Sequence, residues 1–277
     1  MEEPHTYDDI IPHVFITMPI KKLDGRMMEL VERHRFNLEI SIDHHALDRY
    51  AASHFRDVAE RLRAAGIGMT VHAPFQELFL GAPDRLVREA SEKRMDAAFD
   101  CIPYFEPRAV VMHLNYEEKR FGFVLDEWLG HMLRNIQRYA ERCERLGCPL
   151  TIENVYEETP NVMRRVLDEL RGSGVYHCFD AGHLHAFSRT GIDAWFESMG
   201  QYIRQFHLHD NDGSGDAHRP IGSGTIDFEK ISAFMAAMPH MPLVTLEPHS
   251  EPDIWRTLDG FRRTGLFGAL MKTCGRK

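Results

Sequence analysis

Side chains that bind metal ions are concentrated between residues 207 and 224, in His207-Leu208-His209-Asp210, Asp216-Ala217-His218 and the following Gly222-Ser223-Gly224. Imidazole nitrogens and carboxylate oxygens are the usual protein ligands of zinc, manganese and iron. The apolar residues 202–208 are typical of a strand, so the ligand-type side chains would stand where that strand ends. For this segment alone, a polar surface loop that happens to be rich in histidine is the alternative interpretation.

Similar side chains follow the other apolar segments of the chain. The potential ligands, from six consecutive segments, are His72, His113, Glu153, Asp180, His183, His207, Asp216, His218 and Glu247. Taken singly, His72 could be a capping or packing histidine, and Glu153 could belong to a salt bridge. Together, carboxylates gathered at the ends of buried strands would repel one another and resist ionisation unless a cation neutralised them. We therefore expect a metal centre, in which Glu153 and Glu247 are long enough to bridge two ions.

The elements that position these side chains alternate along the whole chain. The predicted strands span residues 13–20, 36–42, 68–73, 109–114, 149–155, 175–179, 202–208 and 243–247. The predicted helices span residues 26–34, 47–65, 84–101, 125–146, 161–171, 192–199, 228–238 and 254–271. Eight strand-helix units predict a parallel sheet. At 277 residues the economical closure is a (β/α)8 TIM barrel, as one domain over residues 1–277.

A doubly wound open sheet is the alternative fold for this pattern. It would more often carry a glycine-rich first turn, and none follows Ile20. In a closed barrel the C-terminal strand ends converge on one mouth, where active sites lie. The barrel is therefore the prediction that also brings the ligand-type side chains together.

Composition narrows the class of protein. With 43% hydrophobic and 27% charged residues the chain is ordinary globular material, and its net charge of -9 argues against nucleic acid as a partner. A small-molecule substrate is expected instead. The acidic N-terminus (Met1-Glu2-Glu3-Pro4-His5) has no apolar leader, and no run approaches the length of a membrane span, which predicts a cytoplasmic protein without a membrane partner.

The cysteines predict no disulfide framework. They are Cys101, Cys143, Cys148, Cys178 and Cys274. Their number is odd, no pair has C-x-x-C spacing, and most lie in apolar helix or strand patterns, so reduced, buried thiols are expected.

The order and spacing of the motifs carry a family resemblance over essentially the whole chain from the third strand onward. The motifs are His72-Ala-Pro, His113-Leu-Asn, Ile152-Glu153-Asn154, Phe179-Asp180-Ala-Gly-His183, His207-Leu-His-Asp210, Asp216-Ala-His218 with Gly222-Ser-Gly224, and Leu246-Glu247-Pro248. Together they resemble the xylose isomerase-like TIM barrel superfamily, and within it AP endonuclease family 2, the endonuclease-IV-like section. The barrel fold thus has a second support beside the count of strand-helix units.

The resemblance implies two to three divalent ions in adjacent sites. One ion would be held by His72, His113 and Glu153, a second by Glu153, Asp180, His207 and Glu247, and a third by His183, Asp216 and His218. Zinc suits the histidine-rich sites, and manganese and iron accept the same ligands. The sugar isomerase and epimerase branch of the superfamily needs only the quartet of the second site around one ion.

The number of ligands favours a hydrolase. Hydrolysis of a phosphodiester uses several ions, whereas aldose-ketose isomerisation or C3 epimerisation needs one, with Glu153 and Glu247 as the catalytic carboxylates that move a proton. The prediction is a metal-dependent hydrolase of a small phosphodiester or related substrate. The alternatives are a sugar or sugar-phosphate isomerase or epimerase, an AP endonuclease-type DNA repair enzyme, and a metal-binding or sensor protein without turnover.

Three residues are predicted to contact the substrate: Arg219, His209 and His249. Arg219 directly follows His218, and a guanidinium forks onto phosphate oxygens, although a solvated loop arginine is an equal alternative. His209 stands beside the ligands at a position that points elsewhere, which predicts a supporting or substrate contact, and His249, after Glu247-Pro248, is expected to face the mouth.

Other segments are similar to a branch linked to cobamide remodelling, in which the nucleotide loop of a corrinoid is removed. They are Asn37-Leu38-Glu39-Ile40, His72-Ala-Pro-Phe75 and Glu153-Asn154-Val155-Tyr156-Glu157-Glu158-Thr159-Pro160. The acidic Glu77 after Phe75 departs from the DNA-repair members, and a small phosphodiester fits better than DNA.

Overall fold

Eight parallel strands form a closed barrel in the computed structural model, which describes residues 7–275. The strands are β1 Phe15–Pro19, β2 Asn37–Ser41, β3 Met69–His72, β4 Val110–His113, β5 Leu150–Glu153, β6 Val175–Asp180, β7 Ile203–Leu208 and β8 Leu243–Leu246. Each strand pairs with the next in the chain, and β1 also pairs with β8. The predicted (β/α)8 barrel is confirmed. The domain bounds of 1 and 277 and the N-terminal residues 1–5 lie outside the described residues.

Helices follow every strand. They are α1 Gly25–His34, α2 His44–Arg49, α3 Ala52–Ala64, α4 Arg85–Cys101, α5 Glu118–Phe121, α6 Leu125–Leu146, α7 Asn161–Glu169, α8 Ala181–Phe187, α9 Ile192–Met199, α10 Phe228–Ala237, α11 Glu251–Arg263 and α12 Leu266–Thr273. Two predicted helices are interrupted: residues 47–65 break at the extended Tyr50 and Ala51, and residues 254–271 break at Gly265, whose φ is 78°. The short α8 was not predicted, because seven residues carry too little helical periodicity.

Strand register brings ligands of neighbouring strands side by side. His113 pairs with Glu153 across β4 and β5, and Asp180 pairs with His207 across β6 and β7. Side chains of directly paired residues lie on the same face of a sheet, so the members of each pair point the same way near the C-terminal strand ends. The closed barrel therefore delivers side chains that are far apart in the chain to one ring.

A polar layer fills the barrel directly beneath that ring. Its members, each completely buried, are Glu39, Thr70, Thr151, Gln205 and Thr245. Oε2 of Glu39 accepts hydrogen bonds from Thr70 Oγ1 (2.9 Å), Gln205 Nε2 (2.7 Å) and Thr245 Oγ1 (3.0 Å). A carboxylate without such donors would be costly to bury. The apolar core lies outside this layer, between the sheet and the helices.

The cysteines follow the prediction with one exception. Cys101, Cys143, Cys148 and Cys178 are free and buried, whereas Cys274 is exposed, so the prediction of a buried thiol is wrong there. Cys274 directly follows α12, where no further element covers it within the described residues. Between residues 7 and 275, no helix combines the length and the apolar content that crossing a membrane would need.

Candidate metal centre

All of the predicted metal ligands come together at the C-terminal mouth of the barrel. Seven of them border a cavity of about 340 Å³: His72, His113, Glu153, His183, Asp216, His218 and Glu247. The other two, Asp180 and His207, are completely buried and contact these seven. Three groups of donor atoms can be distinguished around the cavity floor.

The first group consists of His72, His113 and Glu153. Nε2 of His72, Nε2 of His113 and Oε2 of Glu153 form a triangle in which each pair of atoms is 3.0 Å apart. Ligand atoms held about 2.0–2.1 Å from one tetrahedral ion stand about 3.3 Å from one another, so the triangle has nearly the size that a zinc site requires.

The second group centres on His207. Its Nδ1 lies 3.2 Å from Glu153 Oε2 and 3.1 Å from Glu247 Oε1, so two carboxylates from β5 and from the residue after β8 meet at one imidazole nitrogen. Asp180 contributes beside them: its Oδ1 accepts the backbone N–H of His183 (2.6 Å) and caps α8, while its Oδ2 is buried and makes no hydrogen bond with the described residues. The free carboxylate oxygen is available to a cation.

The third group contains His183, Asp216 and His218, and the structure adds His209 to it. Oδ2 of Asp216 lies 3.3 Å from His183 Nε2 and 3.0 Å from His218 Nε2. His209, predicted as a substrate or supporting contact, has 1% of its surface exposed, and its Nε2 lies 3.3 Å from Asp180 Oδ1. It therefore offers little surface to a substrate, and its position favours a ligand role.

A single buried carboxylate organises the long loop that carries Asp216 and His218. Asp210 accepts the backbone N–H groups of Gly222 (3.0 Å) and Gly224 (2.7 Å), and its own backbone pairs with Arg219. A side chain at position 224 would collide with Asp210 and with the backbone of Asn211, which explains that glycine. The loop is thereby folded back over the mouth.

His218 reaches the cavity through an unusual backbone. Its φ of 46° lies in the left-handed region, which costs an L-residue roughly 1–2 kcal/mol. Its ring stacks between His209 (centroids 3.8 Å apart) and His249 (4.2 Å). Strained residues of this kind concentrate at functional sites, and here the strain aims a potential ligand at Asp216.

Asn154 and Gly182 fix the neighbouring strand ends. The side chain of Asn154 donates to the carbonyl oxygen of Asp180 (2.9 Å) and accepts its backbone N–H (2.9 Å), joining β5 to β6. At position 182 any side chain would collide with the ring of His209. The Asp180-Ala-Gly-His183 motif thus needs glycine because an imidazole lies against it.

Several histidines have one ring nitrogen held from behind, which turns the other toward the cavity floor. Nδ1 of His72 lies 2.8 Å from the carbonyl oxygen of Ala73, and Nδ1 of His183 lies 3.0 Å from that of Asn154. Hydrogen bonds of this kind select the tautomer whose other nitrogen is free to bind a metal. Nε2 of His207 lies 3.0 Å from Oε1 of Glu39, which is a charge contact without hydrogen-bond geometry.

Glu39 is a further candidate site residue, which the metal-ligand motifs do not include. It is completely buried in the polar layer and connects that layer to His207. A signal existed in the sequence, because Glu39 is a lone acid between Leu38 and Ile40 in a strand of alternating pattern, so its side chain points into the barrel. Cys178 is a second such residue, since its sulfur lies in a group with Glu153 and His207.

The electrostatics of the isolated side chains show how tightly the groups are coupled. Burial raises the pKa of Glu153, but the charges of His207 and His113 outweigh it and hold the pKa well below its ordinary value. Burial lowers the pKa of His72, yet the hydrogen bond and charge of Glu153 leave it raised. Burial lowers the pKa of His113, and the charges of His72 and His183 lower it further, against the opposing effect of Glu153.

Around the third group, too, burial and neighbouring charges shift the pKa values in opposite directions. Burial lowers the pKa of His218, but the hydrogen bond to Asp216 and the charge of Glu247 raise it to about 9. For Asp216 and Glu247 the histidines outweigh burial and lower the pKa. In the absence of other cations, protons on the histidines compensate the buried carboxylates.

The donor set fits divalent metal ions. Buried atoms of the groups that make no hydrogen bond within residues 7–275 are His113 Nδ1, Asp180 Oδ2, His207 Nδ1, both ring nitrogens of His209, Asp216 Oδ1 and His218 Nδ1. Unpaired buried donors and acceptors are rare in folded proteins, and their concentration here calls for a shared partner. Nitrogen and carboxylate oxygen in close groups suit zinc, manganese or iron.

Of the two remaining predicted contacts, the structure places His249 at the cavity and Arg219 away from it. His249 borders the cavity beside Glu247. Arg219 is exposed, donates to Asp212 Oδ2 (2.6 Å) and borders a separate surface cavity with Trp255. Its backbone pairing with Asp210 turns the side chain outward, so the structure does not bring it to the predicted phosphate position.

A closed eight-stranded barrel whose C-terminal mouth carries grouped histidines and carboxylates defines a class of metal-site TIM barrels. The chain matches the Xylose isomerase-like TIM barrel family over residues 20–263 and belongs to that family. This confirms the superfamily recognised in the motifs.

Individual relatives are distant. The uncharacterized protein MJ1311 of Methanocaldococcus jannaschii is 23% identical over 232 residues, which cover 79% of this chain and 77% of that protein. The TTHB071 protein from Thermus thermophilus, from a crystal soaked with ZnCl2, is 23% identical with a TM-score of 0.75, covering 91% of this chain and 97% of its own. A D-tagatose 3-epimerase-like protein is 19% identical with a TM-score of 0.76 and the same coverage. At these identities the solved structures show the fold alone.

Proposed function

We propose that this chain is a divalent-metal-dependent hydrolase of small phosphodiesters. The observation that carries the proposal is the position of Glu153 at the junction of the donor groups. Its Oε2 lies 3.0 Å from Nε2 of His72 and of His113 and 3.2 Å from Nδ1 of His207, so one carboxylate oxygen joins the first and second groups, while its Oε1 lies 3.0 Å from Nδ1 of His183, the nitrogen that the Asn154 carbonyl also contacts. A carboxylate shared in this way suits a site that holds two or three ions, as phosphoester hydrolysis uses.

The residues have distinct tasks in this proposal. His72, His113 and Glu153 would hold one ion, and Glu153, Asp180, His207 and Glu247 a second; His183, Asp216 and His218, with His209, would hold a third. Bound zinc, or manganese or iron, would activate water and stabilise charge on phosphate oxygens. The chain supplies the fixed geometry: Asp210 folds the loop over the mouth, Ala73 and Asn154 hold the imidazoles of His72 and His183 from behind, and the charge of Glu39 lies beside His207.

The substrate would be small. The cavity volume of about 340 Å³ is at the lower end of the range for ligand sites. Among its described lining residues, Lys22 is the one lysine, and there is no arginine. A duplex-binding surface normally presents a basic face, so DNA repair is the least favoured alternative. Removal of a nucleotide loop from a corrinoid remains a hypothesis within the phosphodiester class.

A single-ion sugar epimerase is the second candidate. It is favoured by the two carboxylates, Glu153 and Glu247, that flank Nδ1 of His207, and by the fold shared with a D-tagatose 3-epimerase-like protein. Proton transfer at carbon needs a carboxylate oxygen free to accept the proton. Both oxygens of Glu153 face imidazoles, which makes it better suited to bridging ions.

Metal content and turnover test the proposal together. Protein purified without chelator should contain two to three equivalents of divalent metal and should hydrolyse bis(4-nitrophenyl) phosphate. Glu153→Gln and His113→Ala should abolish turnover, whereas Glu144→Gln, on the exposed surface at the other end of the barrel, should not change it. One equivalent of metal or less, with no phosphodiester turnover but epimerisation of a ketose at C3, would replace the hydrolase with the second candidate.

A further inference from the structure

Aromatic side chains stand exposed on one side of the mouth. Phe75 and Tyr156 have 42% and 47% of their surface exposed, and both border the cavity together with Phe187. Large apolar side chains left in water forgo the free energy of burial. When they gather at a cavity, a ligand that covers them recovers that free energy. Phe75, Tyr156 and Phe187 are called the aromatic wall below.

The aromatic wall adjoins two of the donor groups. The ring of Phe75 lies 4.4 Å from that of His113, centroid to centroid, and thus stands over the first group. Phe187 is roughly parallel to His183, with centroids 6.2 Å apart, and Tyr156 lies 5.2 Å from Phe187. A ligand group that touches this wall is therefore held within a few ångströms of the side chains proposed to bind metal.

The other side of the mouth has a different chemistry. Lys22, after β1, and Ser41, at the end of β2, border the cavity there. In a closed barrel of eight strands, β1 lies opposite β5, whose following loop carries Tyr156. The cavity consequently has an aromatic half over β3 to β6, a polar half with one cation over β1 and β2, and the donor groups between them.

From this arrangement we infer that the substrate is an anionic ester with a planar aromatic group, which the aromatic wall binds while the anion faces the donor groups and Lys22. The inference rests on the proposed function and names its substrate class. Stacking on aromatic side chains recognises such a group without hydrogen bonds and adds to the gain from burying its surface. Lys22 supplies the single positive charge that the polar half offers to the anion.

Two small anions that differ only in a ring test the inference without relying on turnover. Binding of phenylphosphonate and of methylphosphonate to the zinc-loaded protein is measured by titration calorimetry. The intact protein should bind phenylphosphonate about tenfold more tightly, the range expected when one aromatic ring is buried and stacked. Tyr156→Ala and Phe75→Ala should each reduce that preference to less than about threefold.

Two further variants separate the halves of the cavity. Phe123→Ala removes an aromatic side chain that is 83% exposed and does not line the cavity, and should leave the tenfold preference intact. Lys22→Met should weaken the binding of both phosphonates by a similar factor and leave the ratio of their affinities unchanged. Phe75→Leu, which keeps an apolar cover on His113, shows whether any loss in Phe75→Ala comes from the ring or from a disturbed fold.

The outcomes distinguish this inference from the proposed function. Equal affinities for the two phosphonates, or a preference that survives in Phe75→Ala and Tyr156→Ala, would overturn the aromatic subsite even if bis(4-nitrophenyl) phosphate is hydrolysed. A wall-dependent preference in a protein that hydrolyses no phosphodiester would keep the subsite and remove the hydrolase.

Discussion

The two ends of the barrel each carry a cavity, and the larger one is not the candidate site. The cavity at the N-terminal end measures about 740 Å³, against about 340 Å³ at the mouth. Its charged lining residues, such as Arg108, Glu141 and Glu144, are exposed to solvent. At the mouth the ionisable side chains are buried and in contact with one another: His72, His113, Glu153 and Glu247 are each less than a tenth exposed.

The contrast indicates that buried ionisable side chains identify the candidate site better than cavity volume does. A solvated glutamate keeps its hydration and needs no partner, whereas a buried carboxylate must find one. At the mouth the partners available among the described residues are protonated histidines, and a metal ion that bound there would displace their protons. Substitutions at the mouth should therefore have larger effects than matched substitutions elsewhere in the barrel.

The largest effect is expected from the carboxylate at the junction of the donor groups. Glu153→Gln should lower phosphodiester turnover more than about 100-fold and should reduce the amount of bound metal. A loss of this size exceeds the roughly 10- to 100-fold loss expected for a residue that only supports a metal ligand. Glu144→Gln at the opposite end should change turnover less than about twofold, because it removes an exposed charge. Metal content by elemental analysis and initial rates measure both. Equal effects of the two substitutions would remove the distinction between the ends.

Removal of metal is expected to destabilise the folded protein. A ligand that binds only the native state stabilises it by mass action, and at a free ligand concentration a hundredfold above Kd the stabilisation is about 3 kcal/mol. In a chain of this size the loss of that free energy on chelation corresponds to a fall in Tm of about 6–12 °C. Thermal unfolding with and without EDTA measures the shift. Glu153→Gln should respond much less to EDTA. A Tm that EDTA leaves unchanged in the intact protein would argue against bound ions.

A smaller effect is expected one level below the mouth. Glu39→Gln should weaken zinc binding about 10- to 100-fold, because it removes the buried carboxylate charge that lies 3.0 Å from Nε2 of His207. Thr70→Val, which removes a donor to the other oxygen of Glu39, should have a weaker effect. Competition with a chromophoric chelator measures the affinities, and ¹⁵N spectra of the histidine rings report the tautomer of His207. Unchanged affinity and tautomer in Glu39→Gln would assign Glu39 to the polar layer alone.

The smallest effect is a pH dependence of the metal-free protein. The folded pKa of His218 is about 9, above the value of about 6.5 in an unfolded chain, because Asp216 and Glu247 favour its protonated form more than burial opposes it. The folded state therefore keeps a proton that the unfolded state releases. The resulting stability is present below pH ~6.5 and is lost as the pH rises through about 9, by roughly 1–3 kcal/mol.

Urea unfolding in EDTA at several pH values measures this dependence. His218→Gln should show a flatter profile over the same window, since it lacks the titrating imidazole. With metal present the dependence should reverse, because ligand histidines must lose their protons and affinity rises with pH. A metal-free protein that becomes more stable between pH ~6.5 and 9 would contradict the proton-based account of the buried carboxylates.

Much of the fold could be predicted because its signals are local. Each strand is a short apolar run and most helices have a clear period, so both can be recognised within a window of a few residues. The breaks at Tyr50 and Gly265 and the seven-residue α8 were missed, since a turn or a cap changes only a few positions. The types of the candidate site residues could also be predicted locally, because short motifs such as His72-Ala-Pro and Leu246-Glu247-Pro248 can be recognised without knowledge of the fold.

What the sequence determined by itself was therefore the alternation of elements and the stock of ligand-type side chains at the strand ends. How they combine depends on the tertiary structure: both oxygens of Glu153 face imidazoles, His209 lies among the ligand-type side chains, Glu39 lies beneath His207, and Arg219 turns outward. The physical reason is that strand register and barrel closure bring together residues such as Glu39 and Thr245, which are 206 positions apart, and no local pattern encodes such a distance.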